Sequence, residues 1–172
     1  QLETNKQLNA IGVDIDVDAC RIANFNAQEN QVNMQNYLPP LSSAADDFSK
    51  ALLLKARQYA LTQLNRQQST TGTTTADADS LFMPESLESR QYQICVANIL
   101  AGPLIGLAPT LAALLHPGGY LGLSGILQNS GEDVAQAYRQ AGFENVKVQK
   151  KQDGWALVTG RRQRQHDESL SS

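Results

Sequence analysis

Apolar residues fall in short blocks along this chain, some with a strand period and some with a helix period. "AIGVDID" (10–16) is a β-branched run ending in acids and predicts a buried strand. Asp16 is placed to cap a following helix, with Ala19, Ile22, Ala23 and Ala27 on one face. "QVNMQNYL" (31–38) alternates as a second strand, and Pro39-Pro40 ends it. "YQICVAN" (92–98) predicts a third strand, and Pro103–Leu115 a helix with Pro103 in its first turn. "HPGG" (116–119) reads as a turn and "YLGLSG" (120–125) as a Gly-rich strand. Ser130 is placed to cap a helix with Val134, Ala137, Tyr138 and Ala141 on one face, stopped by Gly142. "NVKVQKKQDGWALVTGRR" closes the pattern as two strands around Asp153-Gly154, a hairpin signal.

Repeated strand–helix units imply a parallel α/β sheet with right-handed crossovers. The closing hairpin makes the last strand antiparallel, so the sheet is mixed, unlike the all-parallel sheet of a dinucleotide-binding dehydrogenase. Residues 41–92 break the rhythm and read as an insertion. Ser43 with Asp46 resembles a capping box, and Phe48, Leu52, Ala56, Tyr59 and Ala60 form a helical stripe. "QQSTTGTTTADADS" (67–80) is low-complexity and polar, with nothing to bury, and reads as a loop. The tail 163–172 is expected to be disordered.

The length of 172 residues suits one α/β domain. Fourteen Lys and Arg against 17 Asp and Glu give a net charge of −3, which lacks the footprint of non-specific nucleic-acid binding. Arg161, Arg162 and Arg164 form a short basic patch. Cys20, Cys95, His116 and His166 have no disulfide or metal-ligand spacing. The opening "QLETNKQLNA" is polar and has no secretory pattern, so a cytoplasmic location is expected. Ile94–Leu115 carries no charge, but Asn98, Gly102-Pro103 and Pro109 interrupt it. A strand buried on both faces and then a core helix account for that run without a membrane.

Ligands of open parallel sheets bind outside the carboxyl ends of the strands. Two residues stand at such ends. Asp14 suits hydrogen bonds from a ribose diol, although the neighbouring acids also suit helix capping, the role expected of Asp16. Asn98 is either a turn former that satisfies nearby backbone, or an acceptor that aims an amine nucleophile.

"AIGVDIDVDA", "VANILAGPL", "HPGGYLGLSGIL" and "GWALVTGRR", in this order, resemble the methyltransferases of large-subunit ribosomal protein eleven, which are class I S-adenosylmethionine-dependent enzymes. The likeness covers about residues 8–38 and 92–162. It implies a Rossmann-like sheet, mostly parallel with an antiparallel terminal hairpin strand, and a protein substrate with no direct nucleic-acid or membrane partner. It assigns Asp14 to the ribose of S-adenosylmethionine, and Asn98 to the methyl-transfer site and cofactor edge. Related amino-methyltransferases carry Asn-Pro-Pro-aromatic at this strand end. Here Ile99, Leu100 and Ala101 follow instead, which suits an aliphatic amine, a lysine side chain or a chain N-terminus. By the same analogy Trp155 and 124–127 line the substrate side, with core packing the expected role for Trp155.

The family's Gly-rich loop after its first strand has no counterpart upstream of Ala10. Residues 1–162 are therefore expected to be a partial catalytic domain, with the first strand and Gly-rich loop absent and cofactor binding incomplete. Two inner strand edges are then expected to lack a central partner. Alternatives are a non-catalytic Rossmann-like module that binds a partner, and a nucleic-acid amino-methyltransferase of the same fold.

Overall fold

The computed structural model describes residues 10–39, 47–71, 81–84, 87, 91–150 and 153–164. The Ser43–Asp46 capping box, Pro40, positions 72–80 of the polar stretch, and His166 with the tail from 165 lie outside the described residues. No described helix is long and apolar enough to cross a membrane. The described residues form two compact units, divided within one helix at Leu53.

In the first unit β1 (Ala10–Val13) leads through α1 (Val17–Glu29) to β2 (Met34–Tyr37), which pairs with β1 in parallel. The strand stops at Val13 rather than Asp16, because Asp16 leaves the ladder to cap α1: its Oδ1 accepts from the N–H groups of Asp18 (2.9 Å) and Ala19 (3.0 Å). The buried face of α1 holds Val17, Cys20 and Ala27, whereas Ile22, expected to be inside, is 59% exposed. Asn24 explains this rotation. Its amide donates to the Asn36 carbonyl (2.9 Å) and accepts from the Asn36 N–H (2.6 Å), as a further strand would. Gly12 leaves room for the Asn36 side chain beside it.

The helix α2 (Asp47–Thr71) extends five residues into the stretch expected to be loop. Straight-chain Gln67 and Gln68 follow its apolar turns and are good helix formers. From Leu53 on, its Ala60 and Leu64 join Val17, Cys20, Leu38 and Phe82 in one core, while Tyr59 of the expected stripe points outward.

The second unit is a four-stranded sheet in the order β3-β4-β6-β5, formed by β3 (Tyr92–Asn98), β4 (Leu115–Leu127), β5 (Phe143–Lys150) and β6 (Trp155–Arg162). β3 and β4 are parallel, and β6 runs antiparallel to both β4 and β5. Gly154 (φ +77°) supplies the left-handed turn residue of the β5–β6 hairpin. The expected "HPGG" turn is instead a bulge inside β4: the four residues between Leu115 and Tyr120 lie against the single residue between Tyr92 and Ile94.

Helices α3 (Ala101–Leu114) and α4 (Gly131–Gln140) cover the core face, where Leu104, Leu121, Leu123, Ile126, Tyr138 and Val158 are buried. Ser130 precedes α4, but its hydroxyl donates to Asn129 Oδ1 and caps nothing. Arg162, part of the basic patch, ties the unit together. Its guanidinium donates to the carbonyls of Ala112 (3.1 Å), Gly142 (2.9 Å) and Ala141 (3.4 Å), at the C-terminal ends of α3 and α4.

β3 is not buried on both faces. Cys95 and Ala97 pack on the core, whereas Ile94 and Val96 are 65% and 76% exposed. Among the described residues β3 pairs only with β4, and β1 only with β2.

Candidate active site

Asn98 is the last residue of β3 and stands opposite Ser124 of β4. Its side chain has no hydrogen-bond partner among the described residues. A turn-forming asparagine uses its amide on nearby backbone, and this one does not. Ile99 and Leu100 follow it, both exposed, before α3 begins at Ala101. The carboxyl end of β3 thus offers one unused amide, acceptor and donor both, beside aliphatic side chains.

The neighbouring strand passes close to this amide. Leu121 and Leu123 point to the core with period two, but the next core residue is Ile126, three further on. Opposite them, β6 moves only from Val158 to Ala156. Ser124–Gly125 is therefore a β-bulge, with Gly125 at φ +77°. A Cβ on Gly125 would lie 2.9 Å from Asn98 Oδ1 and 2.8 Å from the Ile99 carbonyl oxygen.

Beyond the bulge Leu127 pairs with Trp155, and both are exposed. Trp155 is 46% exposed, so the expected core role does not hold. Position 155 starts the last strand on the outward side of its alternation, while Ala156 and Val158 take the core side. Cys95, three residues before Asn98, packs on the core, and burial pushes its thiol up to about 11. It is protonated at neutral pH and is no base for this end of the strand.

In the first unit Asp14 follows β1 and is exposed. Its Oδ1 accepts the Asp16 N–H at 2.9 Å, leaving Oδ2 with no partner among the described residues. Its backbone is fixed on both sides, donating to the Tyr37 carbonyl at 3.1 Å while its own carbonyl receives the Cys20 thiol at 3.6 Å. An anchored carboxylate with a free oxygen fits a diol. Asp16 is occupied otherwise: the Ala19 N–H above all holds its carboxyl below the ordinary value, against a smaller opposing effect of burial. No group of three metal-ligating side chains occurs among the described residues.

Residues 58–163, more than half of the chain, match the family model described as ribosomal protein L11 methyltransferase (PrmA). The chain belongs to this family. A protein named ribosomal protein L11 methyltransferase from Pseudomonas putida is 44% identical over 119 residues, which is 65% of this chain and 40% of the relative. One of the same name from Pseudomonas fluorescens is 52% identical over 82 residues, 48% of this chain and 27% of the relative. The chain thus spans well under half the length of these PrmA relatives. Among solved structures, a methyltransferase from Pyrococcus furiosus aligns with TM-score 0.52 at 12% identity, over 90% of this chain and 63% of that one. That likeness agrees with the Rossmann-like fold expected of a PrmA chain. The Gly-rich strand expected over 120–125 carries no predicted bulge; the step from Leu123 to Ile126 across a Ser-Gly pair is the sequence signal of the one at Ser124–Gly125.

Proposed function

We propose that this chain is the partial catalytic domain of an enzyme for S-adenosylmethionine-dependent N-methylation of amino groups on ribosomal protein L11, at a lysine side chain or the chain N-terminus, with cofactor binding incomplete in these 172 residues alone. The observation that carries the reading is the unused amide of Asn98 at the carboxyl end of a parallel strand, in a chain of the PrmA family. S-adenosylmethionine, when bound, supplies an electrophilic methyl carbon, which the amine nitrogen takes as the C–S bond breaks and its electron pair stays on sulfur. Asn98 accepts a hydrogen bond from the neutral amine through Oδ1, which aims the nitrogen lone pair at that carbon. Such positioning is the main demand of the reaction. Ile99 and Leu100 offer an aliphatic surface to the acceptor's methylene chain, and their exclusion of water lowers the amine pKa. Water receives the proton that the product ammonium releases.

Asp14 would hold the ribose hydroxyls through Oδ2, which has no partner among the described residues. Trp155 and Leu127 form an apolar ledge on the acceptor side. A protein acceptor rather than nucleic acid is supported by the net charge of −3 and by aliphatic residues after Asn98, where a planar base would call for an aromatic. A ribosomal acceptor places the reaction in the cytoplasm, away from membranes.

The test is transfer of labelled methyl from S-adenosylmethionine to L11 by the protein expressed from its native gene. Asn98→Ala is expected to lower kcat about 100-fold, and Asp14→Ala to raise KM for S-adenosylmethionine at least about tenfold. Wild-type kinetics in both variants would refute the assignment.

A further inference from the structure

We infer that Gly125 is a positioning residue for methyl transfer, acting through Asn98, an inference that rests on the role proposed for Asn98. The amide of Asn98 is exposed and makes no hydrogen bond among the described residues, so no polar partner sets its direction. The main chain of β4 at Gly125 lies close beside it. A Cβ on Gly125 would sit 2.9 Å from Asn98 Oδ1, 2.8 Å from the Ile99 oxygen and 3.0 Å from the Ile99 nitrogen. Real Cβ atoms essentially never approach closer than 3.0 Å, as two of these distances would require, and two of the three neighbours are backbone.

The bulge makes this approach possible. Without the additional residue at Ser124–Gly125, β4 would keep period two, and position 125 would continue the core face after Leu121 and Leu123. The insertion turns Gly125 out of that series into φ +77°, against the Asn98–Ile99 peptide, and returns Ile126 to the core. Beyond it the strand is fastened: the Gln128 N–H donates to the Gly154 carbonyl at 2.8 Å. A fixed wall of main chain thus stands on one side of the Asn98 amide and leaves its polar atoms free for a ligand.

Gly122 supplies the control. It lies in the same strand opposite Val96, and a Cβ there meets nothing within 4 Å. Gly122→Ala therefore tests loss of a strand glycine without the wall.

The experiment compares wild type, Gly122→Ala, Gly125→Ala, Asn98→Ala and the Asn98→Ala/Gly125→Ala double variant, all expressed from the native gene. L11 and S-adenosylmethionine are the substrates. Gly125→Ala is expected to lower kcat about 100-fold with both KM values within about threefold, because a misplacement near 1 Å costs about that much. Gly122→Ala stays at the wild-type rate. The double variant falls within about threefold of Asn98→Ala alone, since both changes remove one function. Retained kcat in Gly125→Ala, or losses that multiply in the double variant, would overturn the inference while leaving Asn98 in its role. Wild-type kcat in Asn98→Ala would overturn both.

If Gly125→Ala fails to fold, the side-chain amide of Asn98 is read by NMR relaxation in the unliganded wild-type protein. An order parameter above about 0.6 supports the wall, and one below it contradicts the inference.

Discussion

Arg162 offers the sharpest stability test, because one side chain serves the ends of two helices. Its guanidinium donates at 3.1 Å to Ala112 and at 2.9 Å to Gly142, with a weaker third bond at 3.4 Å to Ala141. Hydrogen bonds to a charged group contribute about 1.5–3 kcal/mol each, and the half-buried setting of Arg162 favours the lower end because water replaces part of the loss. Two good bonds then give about 3 kcal/mol for Arg162→Met, including the cation's effect on both helix dipoles. Arg162→Lys keeps the charge but loses the planar fork, and is expected to recover less than half of that. Trp155 is the single tryptophan of the chain and belongs to the same unit, so its fluorescence in urea follows this unit alone. The expected shift in Tm is on the order of 10–20 °C for Arg162→Met. A variant within about 0.5 kcal/mol of wild type would refute the clamp, as would full recovery by lysine.

Two further predictions concern pH. Asp16→Ala removes the cap of α1 and is expected to cost about 1 kcal/mol at neutral pH, seen as faster hydrogen exchange of the Asp18 and Ala19 amides. Because folding lowers the Asp16 pKa, its contribution is present above the ordinary carboxylate value near 3.8 and lost as pH falls below it, so the two proteins converge in acid. Burial raises the Cys95 thiol from 9.0 to about 11, so its contribution is complete below pH 9 and lost as pH rises through 11. Cys95→Ala is expected to flatten that alkaline limb in urea titrations under reductant. The Tyr138 hydroxyl, also raised by burial and donating to the Leu104 carbonyl at 3.0 Å, accounts for the residual slope above pH 10.

The features legible in the sequence are those that local chemistry decides. Asp16 caps because a carboxylate before a helix meets free N–H groups, and Asp153-Gly154 turns because glycine accepts positive φ. Asn98 is legible as the point where an apolar run stops. Features decided by distant partners were not legible. The insertion of β6 between β4 and β5 depends on pairings across the sheet, and the face of α1 turns on the Asn24 amide meeting the backbone of β2. Composition made β3 look buried on both faces, yet α3 and α4 lie against the core face that Cys95 and Ala97 share. Gly125 falls between these cases. Its break in alternation is local, but its meaning appears only with Asn98 beside it.

The central claim is that the amide of Asn98 serves methyl transfer to L11. Its most direct test is the intact mass of L11 from cells whose native gene is deleted, then restored as wild type or as Asn98→Ala. The account predicts methylated L11 with wild type and unmethylated L11 with Asn98→Ala at equal protein level. Equal methylation in both strains would contradict it.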